Sequence, residues 1–389
     1  MPNPAKALRL TRLRLTNWRN FRQVDVRLRD RNFIVGPNGS GKSNLLDAIR
    51  FLADLVKPSG GGLQAALDAR QGFRAIRCLH RTGVTQFVEI EASVGNDEQP
   101  DLWEYTLRFD MPGHETLASI VRERVTKRGA KVIERNRQPN DERRRFSQTY
   151  IEQAEQAQGA RELTDFFGSI RYLHVVPQIV RDRQRAKPEG DDPFGGDLLR
   201  RMKQMPKKSR LPRLRRIQQA LTIAVPQFAG LELEDDIDGV PHLIASFQHW
   251  RNKATKQNEV FFSDGTLRLV GLLWSVAEGG GPLLLEEPEL SLNDAVVETL
   301  PAMMHKMQQL SGRQVFVTTH SSALLDDENI GLREVHRVIV DNQGSRAETL
   351  ADDPVIVAQV ENGLSVGDAV LPLLRPDRIE EFADRAADA

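Results

Sequence analysis

The stretch Asn32–Val56, NFIVGPNGSGKSNLLDAIRFLADLV, constrains this chain more than any other. Gly36, Gly41, Lys42 and Ser43 fit the phosphate-binding P-loop pattern, and the flanks supply the strand and helix that such a loop requires. Phe33, Ile34 and Val35 form a short apolar strand, and Leu45, Ile49, Leu52 and Val56 recur at helical spacing after it. Small residues at Gly36, Gly39 and Gly41 let backbone N–H groups turn inward. A helix starting near Lys42 aims the positive end of its dipole at the same spot, so a phosphate has a ready site. Lys42 would reach the β- and γ-phosphates, and the Ser43 hydroxyl would sit on Mg²⁺. Kinases, GTPases and motor ATPases share this loop, so later motifs must decide the chemistry.

Composition narrows the setting. At 389 residues the chain suggests two units, or one unit with an insertion. Lys plus Arg equals Asp plus Glu at 54 each, so any case for nucleic acid must be local. The only cysteine, Cys78, rules out an internal disulfide and fits a reducing compartment, where it reads as a small buried apolar residue. The apolar run Leu269–Ala277, bracketed by Arg268 and Glu278, falls far short of the ~20 residues that span a bilayer. No secretory signal is visible at the N-terminus, and the expectation is a cytoplasmic protein without membrane contact.

Leu8, Leu10, Leu13 and Leu15 alternate among arginines, and Val24, Val26 and Leu28 repeat the pattern after a turn at Asn17–Asn20, which predicts two antiparallel strands. Lys57–Gly62 is a breaker, followed by strands at Phe87–Val94 and Trp103–Phe109. From about Asp110 to Leu231 the sequence reads as helical and charged, without heptads, which suggests a compact insertion. Two basic clusters lie in it. The first, Arg122–Arg145, includes Arg143, Arg144 and Arg145; the second, Arg181–Arg216, holds 13 Lys or Arg against 5 Asp or Glu, and Pro188, Pro193, Pro206 and Pro212 predict an irregular course. Order returns with a helix after Phe261–Leu267, then a buried strand Leu283–Leu285 that ends in Glu286 and Glu287. A crossover helix over Asp294–Leu310, a strand Val315–Thr319 and a third apolar run Val335–Val340 follow. Sites at the carboxyl ends of such strands are the logic of an open α/β sheet. One of the two acids can help hold the Mg²⁺ shell, Glu286, and the other can polarise a water, Glu287.

The order GPNGSGKS, SDGT, LLLEEPEL and TTHS resembles the ABC-class ATPase heads of the RecF, SMC and OLD-nuclease group, particularly small bacterial AAA-family ATPases. The match covers residues 8–56 and 260–345. The resemblance implies an α/β P-loop NTPase head with an N-terminal antiparallel β-subdomain and a compact inserted, mostly helical region. Its parts would be 1–110 and 241–345 as the two halves of the head, 111–240 as the insertion and 346–389 as a tail. It implies ATP and Mg²⁺ as ligands, held by Gly36, Pro37, Asn38, Gly39, Ser40, Gly41, Lys42, Ser43 and Asn44, with Arg19 and Asn20 near the adenine. Ser263, Asp264, Gly265 and Thr266 would form a signature loop that contacts the γ-phosphate bound by a second subunit, making an ATP-sandwiched homodimer. Glu289–Asn293 would be the D-loop and His320 the switch histidine, beside Lys42 and Glu287 in catalysis. Gln178 is a candidate for the Q-loop glutamine, with Gln71 its rival. Glu286 stands where the ABC pattern usually has Asp, and Asp264 replaces a signature glycine; both departures suit the OLD-like branch.

By this resemblance the chain hydrolyses ATP in DNA maintenance or in defence against foreign DNA. The alternative is a nucleotide-gated scaffold that controls a separately encoded effector without touching DNA. The second basic cluster reads equally as a sequence-independent contact to duplex DNA, as solvated surface, or as a docking face for an acidic partner. Only 69 residues follow His320, which leaves no room for a nuclease domain after the head, so the chain alone is expected not to cut DNA.

Overall fold

Every side chain of the strand that leads into the P-loop, Arg31–Val35, is buried, as is every one of Val315–Thr319 beside it. Continuous burial is what a strand covered on both faces demands, and it explains why these two runs carry no polar alternation. The computed structural model describes residues 7–78, 87–113, 115–153, 157–182, 192–248, 255–375 and 379–381. Its strands in chain order are β1 (Arg9–Trp18), β2 (Phe21–Arg27), β3 (Arg31–Val35), β4 (Phe87–Gly95), β5 (Trp103–Asp110), β6 (Ser119–Lys127), β7 (Ala130–Asn136) and β8 (Arg171–Leu173). Then come β9 (Phe228–Asp235), β10 (Pro241–Phe247), β11 (Thr255–Asn258), β12 (Leu283–Glu286), β13 (Val315–Thr319), β14 (Val335–Asp341) and β15 (Gly344–Thr349).

The chain divides into two units. The first comprises Met1–Arg171, Gly280–Leu284 and Pro301–Ala389, and the second Tyr172–Gly279 and Leu285–Leu300. In the first unit the sheet runs β7-β6-β5-β4-β1-β2-β15-β14-β3-β13, and the start of β12 continues it through the bond from Leu283 N–H to Gln314 O. β3 pairs parallel to β13, with Val35 opposite Thr319, and parallel to β14, with Phe33 opposite Val335. That register sets the residue after Val35 and the residue after Thr319 side by side. The remaining strands from β1 to β7 pair antiparallel with one another; β2 and β5 alternate between core and solvent, whereas β4 is buried along most of its length.

The helix Lys42–Leu55 packs Leu45, Leu46, Ile49, Phe51 and Leu52 inward. Phe51 meets Trp18 edge-on at 5.3 Å between ring centroids and stacks on Phe109 at 5.9 Å, so the helix is welded to both β1 and β5. Two charged groups are drawn in with it. Arg70, 4% exposed at its side chain, pairs with Asp47 and Asp54 at 2.8 Å each, and both acids lie on this helix.

The antiparallel sheet does not stop at Asp110. The β6–β7 hairpin extends it to Asn136, around Arg128 and Gly129 with φ of 51° and 75°. Two consecutive positive φ values match the tight turn whose twist suits a hairpin. The second basic cluster is more regular than its prolines suggest. Pro206 precedes, and Pro212 lies inside, an 18-residue helix Lys207–Ala224 that buries Leu214, Ile217 and Leu221. Pro212 sits near the helix start and removes one backbone bond there, a loss that this apolar seam offsets. Arg183–Asp191, with Pro188, and most of the tail beyond Arg375 lie outside the described residues. The expected crossover helix is two pieces, Asp294–Val297 and Leu300–Ser311, because Pro301 has no N–H to continue the first. The second unit holds a small antiparallel sheet in the order β11-β10-β9, also unforeseen.

Candidate functional site

In the first unit the P-loop closes over a helix start left open. Gly41 occupies the N-cap position at φ 110° with no side-chain cap, and no acid lies in the first turn of Lys42–Leu55. A helix start without a side-chain cap or a first-turn acid presents its positive dipole end in the way that suits an anion. Two glycines are dictated by sterics. A Cβ at Gly36, φ 151°, would lie 2.6 Å from Val338 O, and one at Gly41 would lie 2.1 Å from Asn20 Nδ2. Lys42, 5% exposed, folds back to donate to Gly36 O at 2.9 Å and Pro37 O at 3.2 Å. Its Nζ also lies 3.3 Å from His320 Nδ1. The β3–β13 pairing thus brings together two residues 278 apart in sequence, as the motif order anticipates.

The loop is held from behind by polar bonds. Asn20 Nδ2 donates to Ser40 O and to Ser345 Oγ, both at 2.7 Å, while its Oδ1 accepts from Asn44 Nδ2 at 2.7 Å. Ser345 Oγ in turn donates to Ser40 O. Arg19, at φ 49° in the β1–β2 turn, is bound to Asp47 at 2.8 Å. Both side chains expected near the adenine are therefore engaged in fixing the loop and its helix. Behind the strand, His336 is wholly buried between Asn32 Oδ1 at 3.2 Å and Thr349 Oγ1 at 3.3 Å, and burial pushes its pKa down to about 4.

The second unit carries the acids and the SDGT loop. Glu286 accepts a hydrogen bond from the Tyr172 hydroxyl, and its carbonyl lies 3.3 Å from His174 Nδ1. Tyr172 on β8 and His174 just past its end thereby reach the side chain and the carbonyl of the same glutamate. Glu287 adopts φ 43°, a left-handed backbone that costs a non-glycine residue about 1–2 kcal/mol and is most often kept at working sites. Ser263 caps the helix Asp264–Glu278: its Oγ accepts from Thr266 N–H at 3.2 Å and lies 2.8 Å from Thr266 Oγ1. Gly265 has no room for a side chain, since its Cβ would lie 2.4 Å from Ser291 O. The SDGT loop and the Glu289–Asn293 stretch are thus in direct apposition, with Ser291 at φ 61° and Asn293 capping the short helix after it.

Gln178 lies on the short helix Pro177–Arg181, exposed, with Nε2 at 3.5 Å from Asp264 Oδ2. Gln71 lies in the first unit, in a turn with φ 66°. Reading by motif missed Ser345, Tyr172, His174 and the Arg181–Asp264 pair. Those contacts join residues between 83 and 325 positions apart, and no local signal announces them.

Parallel strands around β3, a glycine loop on an uncapped helix start, and a histidine at the neighbouring strand end define a P-loop ATPase head of the ABC class. Comparison with known proteins agrees. Residues 31–326 match the family described as "AAA domain, putative AbiEii toxin, Type IV TA system", and the chain belongs to it. A stretch of 44 residues is 54% identical to the DNA replication and repair protein RecF of Haemophilus ducreyi, covering 11% of this chain and 12% of that protein. RecF of Allorhizobium ampelinum is 35% identical over 90 residues, 23% of this chain and 22% of that one. The matched stretches thus span less than a quarter of these relatives. The Smc head domain of Pyrococcus furiosus, solved with an extended coiled coil and bound to the C-terminal domain of ScpA, shares the fold. Its TM-score is 0.52 at 14% identity, with 91% of this chain and all of that one covered.

Proposed function

We propose that this chain binds and hydrolyses ATP, closes as a homodimer around two ATP molecules, and works in DNA maintenance or in defence against foreign DNA. The observation that carries the reading is the P-loop itself: an uncapped helix start, a loop that only glycine can form at Gly36 and Gly41, and Lys42 held beside His320. The triphosphate would lie on the N–H groups from Gly39 to Asn44, and the Lys42 ammonium would leave Gly36 O and Pro37 O for the phosphate oxygens. Mg²⁺, with Ser43 and Glu286 as its protein ligands, would supply charge neutralisation on the β- and γ-phosphates. Glu287 would accept the proton of the attacking water and His320 would sense the γ-phosphate. Ser263–Thr266 of one copy would meet the γ-phosphate held by the P-loop of the other, and the Q-loop glutamine, Gln178 or its rival Gln71, would follow the nucleotide state.

The exposed cations of the helix Lys207–Ala224, chiefly Lys207, Lys208, Arg215 and Arg216, are the proposed contact to duplex phosphates. A second reading has the head gate a separately encoded effector. The family description, which names a toxin and a toxin–antitoxin system, favours it. DNA-stimulated hydrolysis supports the first reading, and tight co-purification with a neighbouring gene product without DNA stimulation supports the second. Among the described residues no helix is long and apolar enough to cross a membrane.

Lys42→Ala tests the site. The folded variant should lose ATP hydrolysis by at least about 100-fold, since one preorganised charge aimed at the transferring phosphoryl is worth that much. Wild-type turnover in that variant would sink the assignment.

A further inference from the structure

An aspartate is an awkward neighbour for a phosphate, and Asp264 lies directly after Ser263 in the loop assigned to meet one. Its charge is answered within the second unit. Arg181 Nη2 lies 2.7 Å from Asp264 Oδ1, the same nitrogen donates to Phe262 O at 2.6 Å, and Gln178 reaches Asp264 Oδ2 at 3.5 Å. The guanidinium thus grips the loop on both sides of Ser263, by the carbonyl before it and the carboxylate after it. A cation also stands nearer in sequence. Arg268 is one helical turn from Asp264, the spacing that usually makes a pair, yet no carboxylate lies within salt-bridge distance of it among the described residues. Burial lowers the pKa of Arg268, with Asp264 and Glu287 pulling it back up. Asp264 has therefore been given to Arg181, which comes from another element 83 positions away.

The pair is ill suited to holding the fold together. The side chains are 22% and 43% exposed, and ion pairs of that exposure add little to stability. We infer that Arg181 is a positioning residue for ATP hydrolysis: it neutralises Asp264 so that the Ser263–Thr266 loop can approach the γ-phosphate of a second copy, and it fixes the loop's direction through Phe262 O. This rests on the trans-acting role proposed for that loop. Without Arg181 the carboxylate would face a triphosphate at close range, where like charges repel strongly in a water-poor interface. The first residue of the second basic cluster thereby has a local role, whichever of the sequence-level alternatives holds for the rest of that cluster.

Full-length Arg181→Ala, Asp264→Asn and the double variant, with Ser263→Arg as control, test this through MgATP turnover, ATP binding and melting temperature. Arg181→Ala should lose about tenfold or more in turnover at saturating MgATP, an interaction of about 1.4 kcal/mol. Its ATP affinity and melting temperature should stay close to wild type. Asp264→Asn sets the reference turnover, and the double variant should turn over as fast as that single variant and well above Arg181→Ala, because removing the acid removes the need for its counter-ion. A purely structural Arg181 would not be rescued by Asp264→Asn, so an inactive but folded double variant overturns the inference. So does an Arg181→Ala protein with wild-type turnover while Ser263→Arg is dead, and in that case the trans reading survives. If Ser263→Arg itself turns over normally, the trans reading falls and this inference falls with it.

Discussion

Replacing His336 with glutamine should change how stability responds to acid. The imidazole is wholly buried beside Asn32, in the strand that leads to the P-loop, and burial holds its pKa near 4 against an ordinary 6.5. The folded chain therefore binds fewer protons than the unfolded chain between those values. The stabilisation is fully present above about pH 6.5 and is lost as pH falls toward 4. Between about pH 7.5 and about pH 5 the linkage amounts to about 2 kcal/mol. Wild-type protein alone would conceal it. Glu123 is buried against Tyr105, the Tyr150 N–H and Arg135, and burial pushes its carboxyl up to about 7. That group binds its proton more tightly when folded, so its effect runs the other way over the same range, with stability rising as pH falls through 7. The variant cancels the second effect by comparison. Glutamine can keep polar contact with Asn32 and Thr349 but does not titrate. The difference in unfolding free energy between wild type and His336→Gln, from urea titrations followed by circular dichroism, should shift by about 2 kcal/mol against the wild type on acidification. A difference that stays flat with pH would refute the argument that this histidine is held neutral.

Gly41→Ala should leave the circular dichroism spectrum intact but weaken binding of a fluorescent ATP analogue by about tenfold or more, since a Cβ there displaces Asn20 and a positive φ is strained for alanine; undiminished binding would contradict the loop geometry. Reversing Lys207, Lys208, Arg215 and Arg216 to glutamate should weaken duplex DNA binding at all sequences alike and flatten its salt dependence, measured by fluorescence anisotropy. Unchanged anisotropy would return these cations to solvated surface.

What the sequence disclosed follows from how local each signal is. The P-loop is written in consecutive residues, and β12 and β13 announce themselves as apolar runs ending in polar ones, so the strands and motif order of the head were legible. The β6–β7 hairpin was legible too, and was missed: Arg128-Gly129 between stretches rich in Val and Ile is a hairpin turn signal, but the many charges of Arg122–Arg137 suggested a helix. Apart from Glu123, which is buried, most of those charges sit on the half-exposed side of the sheet, where Arg122 approaches Glu134 across strands, and Arg137 reaches Asp110. Pro212 misled in the opposite direction, because its cost near a helix start is smaller than the apolar seam it accompanies. The bonds that hold the site, from Asn20 to Ser345 and from Arg181 to Asp264, depend on strand order and helix placement that no short window contains.

The claim that ATP joins two heads is tested most directly by the mass of Glu287→Gln in solution. That variant should keep ATP, because the P-loop and Lys42 are untouched, while losing the base that makes water reactive. Bound ATP would then favour the closed form without being consumed. Multi-angle light scattering should show the variant as a dimer with MgATP and in its nucleotide-free state of assembly without it, and adding Ser263→Arg should abolish the change. The same mass under every condition, in protein shown to bind ATP, would contradict head closure while leaving the nucleotide site in place.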